Sequence, residues 1–201
     1  MIFKKLLTSI TLVAILICTG CTDDTLQTVK SAKLSYNPDV TVEQALNNYK
    51  GFSADSIKWE GKDGTASFSS EDSTFLEGIN KIKSFIPENK VDAEKLKVFD
   101  LKSANVYIKF TVDSNKKVEV TNCDLELVWN DGVKRLYPAG KEEPVFKTRL
   151  TDYFNNKPAF DDVINVGDLP PIGYFMMFGV MYQIMDALYY DKDVDNIFNF
   201  N

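Results

Sequence analysis

Apolar and polar residues alternate strictly from Ala104 to Val112. Ala104, Val106, Ile108, Phe110 and Val112 share one parity, and Asn105, Tyr107, Lys109 and Thr111 the other. A period of two predicts a half-buried strand. Asp113 to Lys117 supplies a turn, and the chain returns through Val118 and Val120. The apolar parity then shifts to Cys123, Leu125, Leu127 and Trp129, which requires a bulge or a break near Thr121-Asn122. Asn130-Asp131-Gly132 marks a second tight turn before a strand over 133–137. Residues 104–137 are therefore expected to form the centre of an antiparallel meander, with one solvated face and one covered by helices.

Helical spacing appears on both sides of this block. Thr41 and Gln44 have the spacing of a capping box, with Val42, Ala45, Leu46 and Tyr49 on one face behind it. Ile57 and Trp59 alternate with Lys58 and Glu60, Gly61 to Gly64 has turn chemistry, and Ala66 and Phe68 resume the alternation; this predicts a hairpin packed on that helix. A second helix is expected over 74–85, where Phe75, Leu76, Ile79 and Ile82 recur at helical spacing, Thr74 and Glu77 form a candidate capping box, and Pro87 follows. Later, Val145, Phe146, Leu150, Tyr153 and Phe154 fall on one helical stripe, and 161–166 are expected to add a turn. The fold class that follows is α+β: a single domain, an antiparallel β-meander with helices packed on one face.

The segment from Ile172 to Met185 departs from this amphipathic habit. Gln183 is its one strongly polar side chain, and its 14 residues suit a buried helix better than a membrane span of about 20. Two readings stay open: a core helix laid across the sheet, or an adaptable surface for a partner or a membrane, as Met-rich surfaces are. On the second reading the contact residues are Phe175, Met177, Phe178, Met181 and Tyr182.

The first 20 residues are expected to be a leader outside the domain. Lys4 and Lys5 precede an apolar run from Leu6 to Cys18, too short for a comfortable span, and small residues follow before Cys21; this is the layout of a signal peptide. Cys18-Thr19-Gly20-Cys21 resembles the lipobox of bacterial lipoproteins, with Cys18 where Leu is usual. The resemblance implies cleavage before Cys21, acyl chains on Cys21, and anchoring to a membrane through more than one chain. The residue after the lipid-bearing cysteine is Thr22 rather than Asp, which in a Gram-negative cell favours the outer membrane, facing the periplasm. Residues 22–33 are polar and without a clear period, and are expected to be a flexible tether, with the globular domain running from 34 to 201.

Composition narrows the function classes. With 44% hydrophobic and 26% charged residues the chain can form a packed core. Without Lys4 and Lys5 it carries 21 basic against 29 acidic side chains, and arginine occurs only at 135 and 149, which argues against nucleic acid and against general attraction to anionic bilayers. Cys123 is the one cysteine left in the folded body, so no internal disulfide is expected, and it reads as a small buried apolar residue.

The chain contains no histidine, which removes most nucleophilic triads and the common zinc sites. Ser114-Asn115-Lys116-Lys117 matches Ser-x-x-Lys, but in an expected hairpin turn, where the lysine would stay solvated. Asp191, Asp193 and Asp195 are spaced like the opening of a calcium loop, yet Asn196 stands where glycine is needed and no twelfth-position glutamate follows. No phosphate-binding glycine loop occurs, and no catalytic, metal or cofactor site is expected.

The stretch Thr41-Val42-Glu43-Gln44-Ala45 through Asn48-Tyr49-Lys50 and Lys58-Trp59-Glu60, followed by Ala104 to Phe110, is similar to a segment of uncharacterised small α+β envelope lipoproteins. That resemblance implies an α+β envelope module and brings no catalytic residues. The expected role is a membrane-anchored, non-enzymatic module that binds or helps assemble another envelope protein. A solute-binding module or a hydrolase is the alternative.

Overall fold

The computed structural model describes residues 24–85, 91–160 and 171–192. Strands β1 (Lys58–Lys62), β2 (Thr65–Glu71), β3 (Leu101–Val112), β4 (Val118–Trp129) and β5 (Lys134–Tyr137) pair antiparallel in sequence order, a five-stranded meander centred on β3. Around it lie helices α1 (Thr25–Ser31), α2 (Val42–Asn47), α3 (Ser73–Ser84), α4 (Ala93–Leu96), α5 (Pro144–Phe154) and α6 (Pro171–Tyr190), with 3-10 turns at Ala54–Ser56 and Lys97–Phe99. The architecture is α+β, with one sheet and one continuous apolar core.

The alternation of β3 is realised: Ala104, Val106, Ile108 and Phe110 are buried, while Tyr107, Lys109 and Thr111 face out. The inner face continues sideways, since Phe68 of β2 and Cys123 of β4 both pair with Ile108 and are buried. The outer face is polar, with Ser67 opposite Lys109 and Ser69 opposite Tyr107. The parity shift in β4 is a bulge: Lys109 pairs with Asn122 but Phe110 with Val120, leaving Thr121 as the extra residue. Val120 and Cys123 thus both reach the core although they stand three positions apart.

Turn chemistry sets the register. Asp63 and Gly64 both have positive φ, 53° and 76°, as a two-residue hairpin turn of the favoured twist requires. In the longer β3–β4 turn, Asp113 Oδ1 accepts from the backbone N–H of Asn115 and of Lys117, both at 2.8 Å. The bulge is held from behind by α5, whose Arg149 donates to the carbonyls of Cys123 (3.0 Å) and Tyr137 (3.4 Å). Phe146, Leu150, Tyr153 and Phe154 of that helix are buried as the stripe predicts, whereas Val145 is exposed.

The Thr41–Gln44 capping box forms in both directions. Helix α3 starts earlier than its spacing suggests: the cap is Asp72, which accepts from Phe75 N–H at 3.1 Å, and Thr74 instead donates its hydroxyl to Asp72 at 2.7 Å. Asp72 precedes Thr74 in the chain and is the better-placed carboxylate, so it takes the capping role. The expected turn over 161–166 lies outside the described residues.

The largest correction concerns residues 22–33, expected to be a flexible tether. From Thr25 to Ser31 they form α1, and its Val29 is fully buried. Thr25 Oγ1 accepts from Gly64 N–H at 3.1 Å, and Val42 N–H donates to the carbonyl of Ala32 at 2.8 Å. Gly61 permits the approach, because a Cβ there would lie 2.8 Å from Leu26 Cβ. The β1–β2 hairpin consequently packs on α1, and reaches α2 through Trp59 Nε1, which donates to Asn47 Oδ1 at 3.1 Å.

A helix integral to the core behaves differently from a tether under mutation. Val29→Ala is expected to lower unfolding free energy by on the order of 2 kcal/mol in chemical denaturation, as loss of a buried side chain does, where a tether position would give no change.

Candidate functional site

Of the residues named from sequence as candidate contacts, Met177, Phe178, Met181 and Tyr182 are half-buried and pack on the core. Phe178 stacks on Phe99 with ring centroids 5.5 Å apart, and Tyr182 approaches the same ring at 6.3 Å. The fifth, Phe175, belongs to α6, and its side chain lies outside the described residues. Cys21 also lies outside them.

Among the described residues of α6, Met176, at 66% exposure, Gly179, Val180, at 46%, Gln183 and Tyr190, at 46%, are exposed, and Met176, Val180 and Gln183 recur at helical spacing along one stripe. The four described side chains help seat the helix, and Met176 and Val180 present its outer surface. The helix divides along its length as well. Met185, Ala187 and Tyr189 are buried, Tyr189 meets Trp129 edge to face at 5.3 Å, and its hydroxyl donates to Asp131. Tyr137 donates its hydroxyl to the carbonyl of Leu188. Among the described side chains of 172–185, some pack on the core and others face solvent.

These contacts place α6 at one end of the sheet. Phe99 lies just before β3 begins, and Trp129 and Asp131 lie at the matching end of β4. The opposite end carries the β1–β2 and β3–β4 turns, and there Lys116 pairs with Asp24 at 2.6 Å. With 11 steps of roughly 3.3 Å between the 12 residues of β3, the two ends are about 36 Å apart. Among the described residues, no helix is long and apolar enough to cross a membrane.

The clefts are open to solvent. One, of about 560 Å³, runs between Ala32–Tyr36 and Lys116–Val120 and is lined by Lys33, Lys116, Lys117, Lys141 and a single carboxylate, Glu119. Glu119 accepts from Lys117 at 2.7 Å and also from Lys141, and these ammonium groups pull its carboxyl down to about 2. A second cleft, of about 690 Å³, has Asp100 as its one carboxylate, and a third, of about 450 Å³, has Glu60. None of these three brings two carboxylates together, as glycosidase chemistry would need. Among the described residues no cluster of three or more Asp, Glu or Cys could hold a metal ion. Asp193 and Asp195 of the calcium-like spacing lie outside that set.

The Ser-x-x-Lys pattern does not form a dyad competent for base catalysis. Hydrogen bonding to Glu119 raises the Lys117 amine above its ordinary value, the opposite of what a general base requires. Cys123 is buried, and desolvation pushes its thiol up to about 12, so it stays protonated and inert at neutral pH. Asp72 is buried and raised by desolvation, against the lowering effect of its bonds from Thr74 and Phe75; it is spent on capping α3.

Sequence reasoning missed the lysine cleft. Lys33, Lys116–Lys117 and Lys141 are remote in the chain, and only the packing of α1 brings Lys33 to the start of β4. No protein-family model, curated protein or solved structure matches the chain.

Two measurements check this part of the structure. In the folded protein Cys123 is expected to resist a thiol reagent at pH 8 and to react at once after unfolding, read by mass. For Asp72, a folded pKa raised above the unfolded value of about 4 means that the folded state binds the proton more tightly, so this group's contribution to stability falls as pH rises from about 4 through the folded pKa. Asp72→Asn keeps a capping side chain and removes the charge, so it is expected to flatten that part of the stability profile, whereas Asp72→Ala costs about 1–2 kcal/mol throughout.

Proposed function

We propose that the chain is a lipid-anchored envelope protein, acylated at Cys21, whose folded domain binds another envelope protein and performs no catalysis. The observation that carries the reading is the separation of the two ends of the sheet. The N-terminal segment enters at the Lys116 end, and α6 packs at the Phe99 end with Met176 and Val180 outward. An exposed stripe about 36 Å along β3 from the anchor is suited to a protein partner rather than to the membrane that holds the acyl chains.

The support from chemistry is of a different kind. Lys117 is raised rather than lowered, and Cys123 is buried and protonated. A solute-binding or hydrolytic role would draw on an enclosed cavity or on converging carboxylates.

The test is site-specific photo-crosslinking in cells, with the crosslinker at 176 or 180 on α6 and at 107 on the outer face of the sheet. The α6 positions are expected to yield one discrete product with an envelope protein, and position 107 none. Met176→Asp combined with Val180→Asp, both at exposed positions, is expected to change stability by less than about 1 kcal/mol and to reduce the product about tenfold. Equal crosslinking from all three positions, or an undiminished product in the double variant, would overturn the assignment.

A further inference from the structure

We infer that the domain sits directly on the phospholipid surface, with the turn end of its sheet seated on the bilayer and the lysine cleft against anionic headgroup phosphates. The inference rests on the proposed acylation of Cys21 and deepens it by stating how the domain is held.

The first argument is reach. Three residue steps separate Cys21 from Asp24, and even fully extended they span at most about 11 Å. The headgroup region of one leaflet is itself on the order of 5–8 Å thick. No slack follows Asp24, because α1 begins at Thr25 and is locked by Gly64 N–H to Thr25 Oγ1, by Leu26 against Gly61, and by buried Val29. Asp24 is itself paired with Lys116 in the β3–β4 turn. Acyl chains on Cys21 therefore bring that turn to the headgroup layer whatever the rest of the domain does.

The second argument is charge. The chain after residue 20 is acidic overall, yet the cleft beside Asp24 gathers Lys33, Lys116, Lys117 and Lys141 around one carboxylate. Glu119 balances part of this through Lys117 and Lys141, and Asp24 part through Lys116. Lys33 donates to a neutral acceptor, the backbone carbonyl of Asp39, at 3.4 Å. Two acids of the turns are engaged locally: Asp63 lies 3.8 Å from Lys62, and Asp113 Oδ1 accepts from two backbone amides. The cleft thus keeps an excess of ammonium groups within a Debye length, about 8 Å, of the lipid phosphates. The lining of the cleft is thus opposite in sign to the chain as a whole.

The test uses the full acylated protein purified in detergent and reconstituted into vesicles of 30% phosphatidylglycerol in phosphatidylcholine, or of phosphatidylcholine alone. An amine-reactive reagent and peptide mass spectrometry then read the labelling rate of each lysine. The intact mass of the Cys21 peptide is measured first. A missing acyl modification would overturn the anchoring reading and the seat with it, and is recognised before any vesicle is made. With Cys21 acylated, labelling of Lys33, Lys116, Lys117 and Lys141 is expected to fall at least threefold on phosphatidylglycerol vesicles relative to detergent. Exposed Lys95 and Lys134, at the far end, should keep their rates. Uniform rates at all six lysines would overturn the seat while leaving acylation standing. Equal protection on phosphatidylcholine alone would overturn the role given to anionic headgroups. Protection reproduced in detergent by glycerol phosphate would reassign the cleft to a free phosphate ligand.

Discussion

The two-residue rhythm of β3 is the constraint from which the rest of this domain follows. Ala104, Val106, Ile108 and Phe110 commit one face of the central strand to the core, and every other strand takes its register from that commitment. Phe68 and Cys123 are inward because they pair with Ile108, and the helices are on that side because the apolar face must be covered. The bulge at Thr121 keeps β4 consistent with β3, and Arg149 ties the bulged strand to α5 by supplying donors to the carbonyls of Cys123 and Tyr137. A change at Ile108 is therefore felt in three strands, whereas one at Tyr107 meets mainly solvent and Glu126.

Much of this was legible because the signals are periodic or local. Strict alternation identified β3, the parity shift at Thr121-Asn122 identified the bulge, and Thr41 and Gln44 identified a cap that needs only four residues to be recognised. Helix α1 was not legible. It is seven residues long, its N-cap Asp24 makes no side-chain capping bond, and its reasons for being a helix lie at Gly61 and Gly64, more than 30 residues onward. The choice between Asp72 and Thr74 as the α3 cap was lost differently: two good capping residues stand two apart, and the geometry of Phe75 N–H decides between them. Helix α6 is apolar on all sides, so its sequence holds no face that could be told from another. Packing against Phe99 and Trp129 assigns its inner side, and leaves Met176 and Val180 outward.

The ends of the sheet also divide its chemistry. Near Asp24 the side chains are long, charged and paired across the surface, as Lys116 with Asp24 and Lys117 with Glu119. At the other end aromatic rings dominate, with Phe99, Trp129, Phe178, Tyr182 and Tyr189 in contact and Lys97 lying over Tyr189 at 5.3 Å. Solvent-exposed ion pairs contribute little to stability and weaken with salt, while buried aromatic contacts are insensitive to it. The fold is thus secured by the aromatic end and by the core beneath β3.

The bulge at Thr121 has a consequence for how such a chain can change length. Removing Thr121 would leave an uninterrupted ladder with β3 and keep Cys123, Leu125 and Leu127 inward, whereas removing a residue farther along β4 would exchange the inner and outer faces of everything after it up to the next turn. The five-residue turn at 113–117 carries no such penalty, since it lies outside the ladder. Insertions and deletions in descendants of this sequence should therefore accumulate in the turn and, as single deletions, at the bulge, and be purged from the rest of the strand, except where a second one nearby restores the frame.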